Sequence, residues 1–398
     1  VNAVTTEIET QVLPEQTWAG VRKALVAVAV AAWAASALGL AADPARFALS
    51  YLVAYLFFLS LALGALFFVM VQHLSGAVWS VSSRRIAETM TATLPAAVLL
   101  FVPVALNLHH LYEWTHPEVV AADPVLRGKQ AWLNVPFFLI RAAVCLLVWA
   151  GLSRILYRWS VAQDRRPGVP LGSVTAWSAA GVPLAILTVT VAAFDWVMSL
   201  EPHWFSTVFG VYFYAGGAAA SVAALILALL AFRKAGRLVE HVHLEHYHDY
   251  GKWLFSLIVF WAYIAFSQYM LIWYANLPEE TQWFRTRTQG GWAPWALALA
   301  AGHFLIPFFA LMPRAAKRNL PWLAAASLWA LLFHYLDLYW QVMPAIQRSG
   351  PAWHWLDAAT LVAVGASMAL AFWYKIRNVT LIPVGDPRLE RSLEFHNG

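Results

Sequence analysis

Charge is scarce in this sequence: Asp, Glu, Lys and Arg make up 12% of 398 residues, against 61% hydrophobic residues and a mean hydropathy of +0.61. Soluble domains carry roughly 25% charged residues, so the composition excludes a water-soluble globule and implies an integral membrane protein. Cysteine is almost absent. Cys145 stands alone inside an apolar run, which excludes internal disulfides, thiolate-bound iron–sulfur clusters and CxxCH haem attachment within the chain. Any redox centre must be histidine-bound or belong to another chain. A basic patch is missing too: the formal charge is +5, but the basic residues sit at helix ends, so no nucleic-acid partner is expected.

What the sequence does have is apolar runs of spanning length. A hydrocarbon core of roughly 30 Å needs about 20 helical residues, and such runs recur near 22–42, 47–78, 86–110, 135–158, 173–199, 204–232, 250–277, 291–313, 320–343 and 354–377. The expected fold is an all-α integral membrane protein of ten transmembrane helices. Residues 1–19 form an N-terminal segment, 20–377 the membrane domain and 378–398 a polar tail, too short for a domain, that is expected to dock on a cytoplasmic-side neighbour or to be disordered. The segment before the first run is polar and slightly acidic, unlike a cleaved signal peptide. Lys and Arg cluster beside alternate loops, at Arg22-Lys23, Arg84-Arg85, Arg154 to Arg166, Arg233 to Arg237, Arg314 to Arg318 and Lys375/Arg377. The positive-inside rule then places both termini in the cytoplasm. Trp196, Trp204, Trp283, Trp292, Trp322 and Trp340 lie at helix ends, where an aromatic belt is expected.

Helices two to five and six to nine read as two copies of one unit. FDWVMSLEP and LDLYWQVMP place Asp195 and Asp337 each seven residues before a proline, Pro202 and Pro344. An offset of four helices preserves direction, so the two four-helix bundles are parallel repeats, with helices one and ten outside them. Seven residues of helix set each acid about 10 Å inside its helix end. There an acid should face the bundle interior. Ser199, one turn after Asp195, and His334, one turn before Asp337, are potential hydrogen-bond partners. Two readings stay open for the acids: carriers of protons, or polar glue between helices. Arg141 pairs with an acid such as Glu113 or Asp195, or snorkels to the interface.

HVHLEHYHDYGKW, residues 241–253, reads as a loop at the membrane edge, with Asp249 capping the seventh helix. A solvated loop, a proton-collecting surface formed with His246 and His248, and a metal site on His241, Glu245 and His248 are its alternatives; no metal is expected. Among intramembrane histidines only His303 and His334 are eligible as a haem pair, and no haem is expected either. Ser267, Gln268 and Tyr269 in helix seven knit helices together, or hydrogen-bond a quinone or a chain of waters.

HDYGKWLFSLIVFWAYIAFSQYMLIWYANLPEET, FDWVMSLEPHWFSTVFGVYFYAGG and the tail IPVGDPRLERSLEF resemble the smaller of the two NrfD-like (polysulfide-reductase-type) membrane subunits of bacterial alternative complex III. The resemblance covers nearly the whole chain. It implies a ten-helix subunit of a quinol:electron-acceptor oxidoreductase in a respiratory or photosynthetic chain. The expected partners are a larger NrfD-like paralogue, an iron–sulfur subunit, multihaem cytochrome c subunits, small membrane subunits and the lipid bilayer. Haems c and iron–sulfur clusters then belong to those partners and none to this chain, with a quinone possible. The resemblance also implies a proton-moving and assembling role, carried onto Asp195, Asp249, Ser267, Gln268 and Tyr269.

Three functions compete. The first is a conduit in which protons pass from His246, His248 and Asp249, by polar groups of helices seven to nine including His303, to Asp195, Asp337 and His334. The second is a quinone-binding module with a cleft lined by Tyr269, Trp273, His334 and Tyr335. A secondary transporter is the third, disfavoured because paired Gly/Pro interruptions are missing.

Overall fold

In the computed structural model, which describes residues 12, 13, 15–165 and 172–396, the apolar runs are helices. They are α1 (Glu15–Ala42), α2 (Pro44–Leu74), α3 (Val81–Leu106, interrupted around Ala92-Thr93 and Phe101), α4 (Val135–Arg165) and α5 (Gly172–Trp196). After them come α6 (Phe209–Lys234), α7 (Leu244–Ala275), α8 (Gly290–Leu311), α9 (Leu320–Val342) and α10 (Trp355–Ile376). Among the described residues nine helices are long and apolar enough to cross a membrane. The ninth in chain order, α9, is not one of them, because His334, Asp337 and Gln341 interrupt its apolar sequence, yet it packs against α6 and α2.

The centre of the bundle is the seam between α2 and α6, which small residues make possible. A Cβ on Gly217 would lie 2.8 Å from the Ser60 Cβ, and one on Gly64 would lie 2.8 Å from the Gly217 carbonyl oxygen. The two backbones therefore touch, as in close-packed membrane helices. Around this seam the quartets α2–α5 and α6–α9 use matching contacts: first with second helix, first with fourth, third with fourth. Helix α10 covers α1 and α2, and an ion pair of 2.5 Å from Arg46 to Asp357 ties its start to that of α2, with the Ser50 hydroxyl donating to the same carboxylate at 2.6 Å.

Three expectations change. The 241–253 stretch is not a loop that ends in a cap at Asp249. Helix α7 begins at Leu244, since the His246 Nδ1 accepts the free N–H of His243 at 3.0 Å and so fixes the first turn. His246 is fully buried and His248 and Asp249 nearly so. His241 precedes the helix, and among the described residues no three metal-ligating side chains gather. The expected aromatic belt is also largely internal: Trp196, Trp204, Trp283, Trp292 and Trp340 are buried and only Trp322 is exposed. They pack on one another, as where Trp204 stacks on Trp283 at 4.6 Å, because rings that meet across helix ends bury more area than rings laid against lipid.

The tail is the third. It folds back onto its own bundle: Ser392 accepts from the Ser82 N–H, its carbonyl meets His246 Nε2 at 3.1 Å, and Asp386 bridges Arg84 and Arg388 at 2.7 and 2.9 Å. Arg84 and Arg85 share Glu88, and Arg85 reaches Asp164. Val12 bridges Thr380, so the segments flanking α1 and α10 lie side by side on one face. Of the N-terminal segment, residues 1–11 and 14 are outside the described residues, as are 166–171, which include Arg166, and the last two tail residues.

Candidate functional site

The two acids of the repeats are both buried and differ in what surrounds them. On α5, Asp195 accepts from Arg141 Nε at 2.6 Å and Nη2 at 3.0 Å, a bidentate pair, and from Trp132 Nε1 at 2.9 Å. Arg141 packs against the rings of Trp132 and Phe137, 4.2 and 4.3 Å from their centroids. Of the two fates open to Arg141, pairing is the one seen, with Asp195 as its acid. Ser199 does not serve the carboxylate: its hydroxyl donates to the Asp195 carbonyl oxygen at 2.5 Å, the usual back-bond of a serine one turn on.

On α9, Asp337 sees neutral groups. Tyr212 donates to Oδ1 at 2.5 Å, and Trp261 Nε1 and Gln341 Nε2 each donate to Oδ2 at 3.1 Å. The partner expected one turn earlier turns away: His334 Nε2 is 2.8 Å from the Ser60 hydroxyl. Since that hydroxyl donates to the Phe57 carbonyl, it accepts from His334, which fixes the proton on Nε2. His303 stacks on Trp261 at 3.8 Å, with its ring 6.5 Å from that of His334. Asp337, Tyr212, Gln268 and Tyr269 all line one cavity of about 590 Å³ between α7, α8 and α9. Gln268 is buried there, its Oε1 accepting from Ser206 at 3.0 Å; Ser267, half-buried, is outside the lining.

Of the residues singled out in the sequence, the fold thus brings together Asp337, Gln268 and Tyr269, with His303 and His334 a layer behind. Asp195 belongs to the other quartet. Asp249 is twelve residues before Trp261 on α7, about 18 Å at helical rise, and Leu254 and Ile258 between them are fully buried. His246 and His248 lie on the same far side of that dry stretch, and Asp249 is paired with Lys252. The expected quinone cleft is not assembled: Trp273 points outward at 65% exposure, while His334 and Tyr335 are buried, Tyr335 against Phe57. Only Tyr269 of those four lines the cavity.

Sequence reasoning missed Tyr212, Trp261 and Gln341. Gln341 was findable, since it is one turn after Asp337 and shares its face; Tyr212 and Trp261 come from other helices with no spacing to betray them. No protein-family model and no curated protein matches the chain.

Proposed function

We propose that this chain is a ten-helix membrane subunit of a quinol:electron-acceptor oxidoreductase of the alternative complex III type, with α9 as its ninth span and both termini cytoplasmic. In this reading the redox groups belong to iron–sulfur and cytochrome partners, and the chain contributes a scaffold and a proton-handling site. Asp337 is that site. The supporting observation is its surroundings: a buried carboxyl group on a cavity wall, held by a hydroxyl, an indole and an amide, with no cation in the set.

A carboxyl among neutral donors can exchange a proton without stranding a partner charge. Tyr212 and Gln341 can turn to suit either state, since a hydroxyl donates or accepts and an amide offers both kinds of atom. Asp195 lacks that freedom. Its exchange would leave the Arg141 guanidinium buried without its counter-charge, a costly state, so Asp195 serves the scaffold. In this reading the route from Asp337 avoids the buried Leu254 and Ile258 and uses the cavity side, where Gln268 and Tyr269 lie toward the opposite end of α7.

The test is proton release per electron in the intact complex reconstituted in vesicles. Asp337→Asn should assemble normally and lose the proton release coupled to turnover. An unchanged ratio in that variant removes the proton-handling role.

A further inference from the structure

Alanine thins the facing sides of two helices, Ala262 and Ala265 on α7 and Ala296 and Ala300 on α8. A π turn at Ala300–Leu305 further loosens α8; such turns insert a residue and displace the helix locally. The gap between them is the 590 Å³ cavity, and its lip is apolar and outward-facing: Tyr263, Phe266 and Leu297 are 66, 63 and 72% exposed. In a spanning bundle that lip faces the bilayer.

The shape narrows the occupant. Along α7 the lining runs from Val259 to Tyr269, ten residues or about 15 Å, half of a roughly 30 Å hydrocarbon core. That is the depth of one leaflet. A spanning helix of another subunit would run the whole hydrocarbon core, about twice the length of this groove. At the outer end the short helix Pro278–Thr288 supplies Phe284 and Thr288 to the lining, and Arg285 beside them is exposed. Arg285 and Thr288 are three apart and share a helix face, so an exposed cation lies one turn from the lining.

We propose that the cavity seats one acyl chain of an anionic bilayer lipid, with the lipid phosphate at Arg285 and the chain running inward to Val259 and Leu305. This site stands whether or not Asp337 carries protons.

The test uses the full chain in proteoliposomes containing phosphatidylglycerol or phosphatidylcholine with a photoreactive group near the chain end. The phosphatidylglycerol probe should label peptides 259–269 and 296–305 well above the outward faces of α4 and α5, and roughly fivefold above the phosphatidylcholine probe, the preference one basic residue near the surface confers. Arg285→Gln should remove that preference and leave phosphatidylcholine labelling unchanged. Ala300→Trp, which fills the groove, should lower labelling by both probes; if it fails to fold, the wild-type comparison of the two probes decides alone. Labelling no stronger than on the rest of the lipid face overturns the proposal, as does displacement of the probe by an added quinone or recovery of cross-links to another protein at these peptides.

Discussion

The two quartets of helices set an acid at the same distance from a proline, Asp195 before Pro202 and Asp337 before Pro344, and then give it opposite company. In α2–α5 the third helix starts early enough that Arg141 is its seventh residue and reaches across to Asp195. In α6–α9 Arg287 lies before α8 begins, on the short helix Pro278–Thr288. From there it reaches Glu201 at 2.6 Å and the carbonyls of Trp340 and Gln341, tying the two quartets together. Arg141 neutralises Asp195, whereas Arg287 serves as a latch and Asp337 keeps only the dipoles of Tyr212, Trp261 and Gln341.

The contrast yields graded predictions. The largest effect is expected at the clamp: Arg141→Ala strands the Asp195 carboxylate and should cost about 3–5 kcal/mol, whereas Arg141→Met with Asp195→Leu should recover most of it. Thermal unfolding in detergent measures both, and equal losses for the single and double variants would show that the pair is not the source. Gly217→Ala drives a methyl to within 2.8 Å of the Ser60 Cβ and should cost about 1–3 kcal/mol by overpacking the seam both halves share. Asp337→Asn gives up one charged hydrogen-bond set but strands no ion, so a loss near 1 kcal/mol is expected. A larger loss there than at Arg141 would erase the distinction between the halves.

A subtler effect belongs to the tail, outside the membrane. Burial raises the carboxyl of Asp386, but Arg388 and Arg84 overcome it and hold its pKa well below the usual carboxylate range. A depressed folded value means that Asp386 stabilises the tail fully above the unfolded carboxylate value near 4, and that this stabilisation fades as pH falls below it toward the folded value. Proteolysis of residues 380–394 should therefore quicken with acid. Asp386→Asn should be cut readily at neutral pH and should flatten the dependence; a wild-type profile in that variant would mean another group controls the tail.

Much of this was legible in the sequence. Long apolar runs mark the helices, the Asp–Pro spacing marks both acids, and Asp195 is one of the two acids that the sequence offers Arg141 as a partner. The misreadings have local causes. Four histidines looked like a wet loop because polar composition signals solvent, but His246 caps a helix start and the tail then covers it. Ser199 and His334 sit at helical spacing from the acids, yet spacing fixes a shared face and leaves side-chain direction to the neighbours, here a carbonyl and Ser60. The cavity had no signature, since alanines on two distant segments become a groove only once α7 and α8 are side by side.

Infrared difference spectroscopy of the intact complex, reduced minus oxidised, bears most directly on the difference between the two acids. The account predicts a protonated-carboxyl band that changes with redox state, disappears in Asp337→Asn and survives the Arg141→Met, Asp195→Leu double substitution. A band that survives Asp337→Asn and vanishes with the pair in the other half would contradict it.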